Sequence, residues 1–157
     1  MDVKLANPFI NAALNVLEVM ANVICKADKP FLKKDSLSRG DVTGIIGLSG
    51  VARGSVSITF DEQSILEIVS NLLGEKIETI NEEIVDAVGE ITNMISGQAR
   101  KELDENGRSF KAAIPTIIKG KNHTIRHITN VPVIAIPFTT SKGQFLIEIC
   151  IEETRKG

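Results

Sequence analysis

The sequence predicts one α/β domain in which long helices pack on an antiparallel β-sheet. First, residues 82–103 form one long stretch whose apolar positions recur with the spacing of an amphipathic helix. Second, several short apolar or alternating runs are joined by glycine-containing turns, which is typical of antiparallel strands. Third, the two halves of the chain resemble each other, which predicts two helix–strand–hairpin repeats related by a pseudo-twofold axis.

Length and composition fit a single domain over residues 1–157. Hydrophobic residues make up 43% and charged residues 24% of the chain, and the formal net charge is −2. These values give no general electrostatic reason to bind nucleic acid or an anionic membrane. No apolar run approaches the ~20 residues of a membrane span, and the first residues lack the features of a signal peptide, so we expect a cytoplasmic protein.

The cysteines and histidines give no pattern that predicts a metal site. Cys25 and Cys150 lie at the ends of apolar runs and are expected to be small buried side chains. His123 and His127 lie in a polar stretch that favours a solvated hairpin. On a strand their spacing corresponds to ~13 Å, and no third ligand stands nearby.

The first helix is predicted to begin at Asn7-Pro8, with Asn7 as the N-cap. Its expected buried stripe consists of Ile10, Leu14, Leu17, Ala21 and Ile24, flanked by Ala13 and Met20. The opposite side carries Asn11, Asn15, Glu18 and Asn22.

The next segments predict an edge strand, a hairpin and a short helix. Residues Lys26–Lys34 form an extended edge segment, because proline and lysine both discourage further strand pairing. Asp41–Phe60 forms a hairpin with its turn near residues 50–54, and its second strand alternates apolar residues with Ser55, Ser57 and Thr59. Asp61 or Ser64 caps a short helix that ends at Gly74.

Asn81 starts the long helix, and three strand-like runs follow that helix. These runs cover residues 110–118, 131–140 and 144–152, with a loop at 119–122 and a turn at 141–143. Two short matches support the internal repeat. Lys-Ala-x-x-Pro-x-x-x-Lys begins at Lys26 and again at Lys111, and Gly-x-x-x-Ile begins at Gly54 and again at Gly143.

The polar face of the long helix carries the strongest chemical signal in the chain. Asp86, Glu90, Asn93 and Gly97 fall on one side, opposite the apolar residues Ile84, Val88, Ile91 and Ile95. Gly89 and Gly97 each cost ~1 kcal/mol relative to alanine inside a helix. On spacing alone an ordinary solvated face is the commoner explanation, and the glycines could equally serve close packing inside the domain.

The segment Asp86–Asn93 resembles the CheC/CheX/FliY family of chemotaxis phosphatases. The family signature is Asp or Ser, three residues, Glu, two residues, Asn, and a proline further on. Asp86, Glu90 and Asn93 match it in order, and Pro115 follows after residues 94–114. Within the family the chain resembles the CheX members, since its first helix has Asn15 and Glu18 where a second motif needs Glu and Asn. It also leaves no room for the additional flagellar-switch domain of FliY-like members.

The resemblance implies a CheC-like fold and a phosphatase that acts on the aspartyl phosphate of a CheY-like response regulator. Glu90 would pair with the regulator's active-site lysine, and Asn93 would orient the attacking water. Asp86, Gly89 and Gly97 would contact the regulator. The protein would need no cofactor of its own, because the regulator holds the Mg²⁺.

The resemblance also implies a homodimer, joined through Lys26–Lys34 or through Lys119–Arg126. An alternative function is a non-catalytic adaptor that docks response regulators through the same helix. The sequence does not identify which regulator is the partner.

Overall fold

The computed structural model describes residues 3–33, 37–127, 129 and 131–153. A 3-10 turn, Val3–Leu5, leads into three α-helices and eight strands. In chain order these are α1 Ala6–Ala21, β1 Lys26–Ala27, β2 Phe31–Lys33, β3 Leu37–Gly50, β4 Ala52–Phe60, α2 Glu62–Leu73, α3 Glu82–Glu105, β5 Phe110–Ala112, β6 Thr116–Arg126, β7 Val133–Thr139 and β8 Gln144–Glu153.

The strands form one antiparallel sheet whose order shows the predicted internal symmetry. The order is β1-β7-β8-β4-β3-β5, with β2 also paired to β7 and β6 also paired to β3. Each half therefore contributes one hairpin to the centre, where β4 pairs with β8. The strands that follow α1 and α3, which are β1 and β2 in the first half and β5 and β6 in the second, pair with the hairpin of the other half. The α/β architecture of two related halves is confirmed.

The lysine–alanine–proline match marks the true repeat. Lys26 lies opposite Thr139 and Lys111 lies opposite Ser49, so these two positions are equivalent, 85 residues apart. The same shift relates Phe31, opposite Ala135, to Thr116, opposite Ile45. The last residue of the first copy of the match, Lys34, lies outside the described residues.

The glycine–isoleucine match is wrong as an alignment of the repeats. Gly54 lies inside β4 opposite Ile151, whereas Gly143 lies in the turn before β8. Ile58 and Ile147 face each other directly across the centre of the sheet and are not equivalent positions.

Local signals place α2 and α3 correctly. The Asp61 carboxylate accepts from the Ser64 N–H at 2.8 Å, and Gly74 ends α2 with φ +69°. The Asn81 side chain accepts from the Ile84 N–H at 3.0 Å and begins α3. These caps satisfy backbone donors and carbonyls that a helix terminus otherwise leaves open.

The first helix differs from the prediction in its start and in its buried face. Asn7 lies inside α1, which begins at Ala6 after Leu5 and has no side-chain N-cap. Ile24 is 80% exposed, because α1 ends at Ala21 and Asn22 turns the chain with φ +50°, so helical spacing no longer applies there. Of the rest of the predicted stripe, Leu17, Ala21 and Ala13 are buried, Ile10 and Leu14 are partly buried, and Met20 is exposed. Phe9, Ala12 and Val16 complete the buried face.

The predicted loop at residues 119–122 is part of β6. Gly40 pairs with His123 and Val42 pairs with Lys119, so residues 120–122 bulge opposite Asp41. Gly120 and Asn122 take positive φ angles of 154° and 56°, which allows this irregularity inside a continuous strand. The run predicted for residues 110–118 is instead interrupted between β5 and β6, at Ala113–Pro115.

The face of the sheet opposite the helices is covered by the outer ends of β3 and β6. His127 shares hydrogen bonds with Ser55 and Ser57, both at 2.9 Å, and is only 7% exposed. The predicted solvated hairpin is therefore wrong for His127. Burial lowers the pKa of this imidazole, Glu148 acts to raise it, and Lys33 acts to lower it. Glu148 is fully buried and pairs with Lys33 at 3.1 Å.

The two cysteines are buried, as predicted. Burial raises the pKa of the Cys25 thiol to about 11 and also raises that of Cys150.

Candidate functional site

The polar face of α3 is presented to solvent as predicted. The side chains of Asp86, Glu90 and Asn93 are exposed, and Gly89 and Gly97 are partly buried. Glu90 and Asn93 stand three residues apart, which separates them by ~4.5 Å along the helix axis and makes them surface neighbours. Within the described part of the chain, neither side chain makes a hydrogen bond or an ion pair. Both groups are available to a second molecule.

The opposite side of α3 fixes the helix in the core. Ile84, Val88, Ile91 and Ile95 are each at most 2% exposed, which confirms their predicted burial. On one flank Asn15 Nδ2 of α1 donates to Gln98 Oε1 at 2.9 Å. On the other flank Lys119 of β6 pairs with Glu82 at 2.8 Å. Glu90 and Asn93 therefore lie on a helix that α1 contacts on one side and β6 contacts on the other.

Beneath α3, Thr92 makes a close contact with the sheet. Thr92 Oγ1 donates to the Val88 carbonyl at 2.7 Å and is buried. It lies against Gly44 of β3, where a methyl carbon would come within 3.0 Å of Thr92 Oγ1. Glycine at 44 therefore sets the distance between strand and helix directly beneath Asn93, which follows Thr92 in the chain. Sequence analysis noted Gly44 only as an interruption of the strand.

The structure shows whether close packing inside the domain requires the glycines of α3. A methyl carbon at Gly89 would lie 3.8 Å from Ile117 Cδ1, and one at Gly97 would lie 3.9 Å from Arg100 Nη2. Both distances are ordinary van der Waals contacts, so packing within the domain does not require glycine at either position. Clearance for another molecule, which would explain the ~1 kcal/mol that each glycine costs the helix, stays a prediction.

Glu90 and Asn93 lie on an exposed helical surface. One cavity of about 810 Å³ lies beside α2, and cavities of about 290 and 300 Å³ lie elsewhere. Neither Glu90 nor Asn93 lines any of these three. The described residues also contain no group of three or more His, Cys, Asp or Glu side chains placed to hold a metal ion. A carboxylate accepts hydrogen bonds, and an amide both accepts and donates them, so this exposed pair can orient a reacting group.

The exposed face of α1 does not repeat the order of Glu90 and Asn93, since it carries Asn15 before Glu18. Asn22 and Gly107 both have positive φ just after their helices, and they are separated by the same 85 residues as the strands that follow. The shift does not extend along the helices, because it would place Ala13, which is buried in α1, at the position of Gln98, which is exposed on α3.

Asn15 and Glu18 carry the amide and the acid in the reverse order of the motif, and the expectation that α1 holds no second active site stays a prediction. Both side chains are exposed on α1, and Asn15 bonds to Gln98 of α3.

None of the helices in the described residues combines the length and the apolar character that crossing a membrane requires.

Each comparison with known proteins finds a similarity to CheX proteins. The family model of the chemotaxis phosphatase CheX matches residues 42–139. The crystal structure of chemotaxis protein CheX from Vibrio vulnificus is 49% identical, with a TM-score of 0.90 over 95% of this chain and 99% of that chain. CheX in a complex with CheY, BeF3 and Mg²⁺ from Borrelia burgdorferi is 26% identical, with a TM-score of 0.79 over 97% and 100% of the two chains. The CheY-P phosphatase CheX of Thermotoga maritima is 24% identical over 127 residues, 80% of this chain and 82% of that protein.

Proposed function

Because the chain belongs to the CheX family of chemotaxis phosphatases, we propose that it hydrolyses the aspartyl phosphate of a CheY-like response regulator. The observation that carries the proposal is the exposure of Glu90 and Asn93 side by side on α3. Two relatives support it. The Thermotoga maritima protein is a CheY-P phosphatase, and the Borrelia burgdorferi protein forms a complex with CheY.

In the proposed reaction, a water molecule attacks the phosphorus atom of the regulator's aspartyl phosphate. The bond from phosphorus to the aspartate oxygen breaks, which releases inorganic phosphate and restores the free aspartate. Asn93 acts on the water and the phosphoryl group, because its amide can accept a hydrogen bond from water while donating one to a phosphoryl oxygen. Its contribution is positioning, which can account for a large part of a phosphoryl-transfer barrier.

Glu90 has a different proposed role, which is to pair with the lysine beside the regulator's phosphoryl group. This charge pairing sets the register of the two proteins and brings Asn93 to the phosphoryl group. Asp86 stands one turn before Glu90 on the same exposed face and is proposed to contact the regulator. Gly89 and Gly97 leave room for the regulator's loops. We expect the required Mg²⁺ to be bound by the regulator.

Three variants test these roles against two matched controls. Asn93→Ala should lower the single-turnover rate by about a hundredfold or more with binding kept, because positioning is lost while the interface remains. Asn93→Asp should do no better, since a carboxylate cannot donate and is repelled by the phosphoryl group. Glu90→Ala should mainly weaken binding. Asn71→Ala and Glu105→Ala remove an exposed amide and an exposed carboxylate elsewhere on the helices, and should behave as the wild type.

The measurement is loss of phosphate from ³²P-labelled regulators of the same organism at saturating protein. A rate close to wild type for Asn93→Asp would refute the water-positioning role. If the wild-type protein binds a phosphorylated regulator without accelerating phosphate loss, the protein is an adaptor and the phosphatase proposal is wrong.

A homodimer joined through a sheet edge is also part of the proposal. The two candidate segments lie at opposite edges, since β1 and β2 pair with β7 while β6 pairs with β3. Phe31 and Leu32 of β2 are 47% and 46% exposed, which favours the β2 edge as the interface. Light scattering after size exclusion of Phe31→Lys should show the monomer mass if that edge joins the subunits.

A further inference from the structure

Ile114 is the most exposed of the large hydrophobic side chains on the described surface, at 89%. It stands between β5 and β6, immediately before Pro115. The preceding Ala113 N–H donates to the Gly47 carbonyl at 3.0 Å, which attaches this segment to β3. The side chain is therefore held out from the surface on an anchored backbone.

Two contacts locate Ile114 relative to α3. Lys119 pairs with Glu82, and Ile117 lies closest to Gly89, so β6 runs antiparallel to the helix. From Ile117 back to Ile114 the chain advances ~10 Å at the rise of an extended strand. The same distance along α3 covers about seven residues from Gly89. Ile114 therefore lies beside the stretch of α3 that contains Asn93 and Gly97.

The pseudo-twofold symmetry supplies an internal comparison. The 85-residue shift that relates β1 and β2 to β5 and the start of β6 makes Lys29 equivalent to Ile114. Proline follows in both halves, at Pro30 and Pro115. The half that carries the exposed carboxylate and amide has isoleucine at this position, and the other half has a solvated lysine. The fold itself accepts a charged residue there, so isoleucine at 114 is not needed for folding.

From these observations we propose that Ile114 is the apolar anchor of the surface that docks the response regulator. The inference rests on the proposed function and adds to it. Hydrogen bonds and exposed charge pairs contribute little net binding energy, since they replace contacts with water. An exposed isoleucine that becomes buried contributes far more. The regulator must therefore offer an apolar pocket or side chain beside its acidic, Mg²⁺-binding phosphoryl site, and Ile114 selects regulators that have one.

The test separates docking from chemistry. The probe is a regulator that the wild-type protein binds, loaded with Mg²⁺ and BeF3⁻, which stands in for the phosphoryl group. Ile114→Ser should weaken binding by about tenfold or more, the loss expected when an isoleucine no longer becomes buried. The single-turnover rate at saturating protein should stay within about twofold of the wild type. Ile114→Leu, which keeps an aliphatic side chain, should bind nearly as the wild type.

Ile24→Ser is the matched control, because Ile24 is 80% exposed and follows α1 on the other half of the molecule. It should leave both binding and rate unchanged. Unchanged binding by Ile114→Ser, or a loss confined to the saturated rate, would overturn the inference even where the phosphatase activity is established. Wild-type protein that binds without hydrolysis would refute the phosphatase proposal, while the binding comparison would still decide the role of Ile114.

Discussion

Replacement of Gly44 by alanine should push α3 away from the sheet. The added methyl carbon would lie within 3.0 Å of Thr92 Oγ1, 3.2 Å from Thr92 Cβ and 3.4 Å from Thr92 Cγ2. Thr92 cannot turn away without cost, because its hydroxyl donates to the Val88 carbonyl at 2.7 Å in a buried site. Overpacking of this kind costs about 1–3 kcal/mol of unfolding free energy.

A second substitution shows whether this contact is the cause. Thr92→Ala removes two of the three atoms that the new methyl meets, and on its own should cost about 1–2 kcal/mol for the lost hydrogen bond and methyl group. The double variant should then be more stable than the sum of the two single effects by about 1 kcal/mol or more. Gly47→Ala is the control on the same strand, because its methyl would meet only the Ala113 methyl group, at 3.9 Å.

Urea unfolding followed by circular dichroism measures these differences, provided that the slope with denaturant stays constant. If the two single effects add to within about 0.5 kcal/mol, the contact between Gly44 and Thr92 does not set the distance between α3 and the sheet. Because Asn93 follows Thr92, Gly44→Ala should also lower the rate of phosphate release in protein that is still folded, and Gly47→Ala should not.

Two further outcomes follow from the structure. The double variant Asn15→Ala, Glu18→Ala should dephosphorylate a regulator at nearly the wild-type single-turnover rate, because these residues carry the amide and the acid in the reverse order of the proposed catalytic pair; a large loss in folded protein would contradict this. Burial lowers the pKa of His127, so the unfolded chain binds a proton at higher pH than the folded one, and stability falls as pH drops below about 6.5. Urea titrations at about pH 7.5 and 5.5 should therefore show a smaller loss of stability for His127→Gln than for the wild type, and an equal loss would contradict the assignment.

The features that could be predicted from the sequence are those set by neighbouring residues. The caps at Asp61 and Asn81 act within three residues, so their sequence patterns locate the starts of α2 and α3. The same is true of the exposed face of α3, because helical spacing decides which residues point away from the core. The burial of Ile84 together with the exposure of Glu90 follows from that spacing alone.

The features that were missed depend on residues far apart in the chain. His127 is buried because the ends of β3 and β6 cover the second face of the sheet. The residues near position 127 do not predict this burial. The irregular stretch at residues 119–122 was mistaken for a loop, because glycine and asparagine serve both turns and bulges. The alignment of the two halves depends on which sequence match is used. The match of Lys26 with Lys111 aligns the strands that follow α1 and α3 correctly, and the match of Gly54 with Gly143 does not.

The proposed site lies on the longer of the two related helices. α3 has 24 residues and α1 has 16, so about two turns of α3 have no helical counterpart in α1. Both helices need their shared part, since it packs the core, but an added length of helix is free of that requirement on its outer face. A duplicated fold can in this way gain a catalytic surface on one copy without disturbing the packing on which both copies depend.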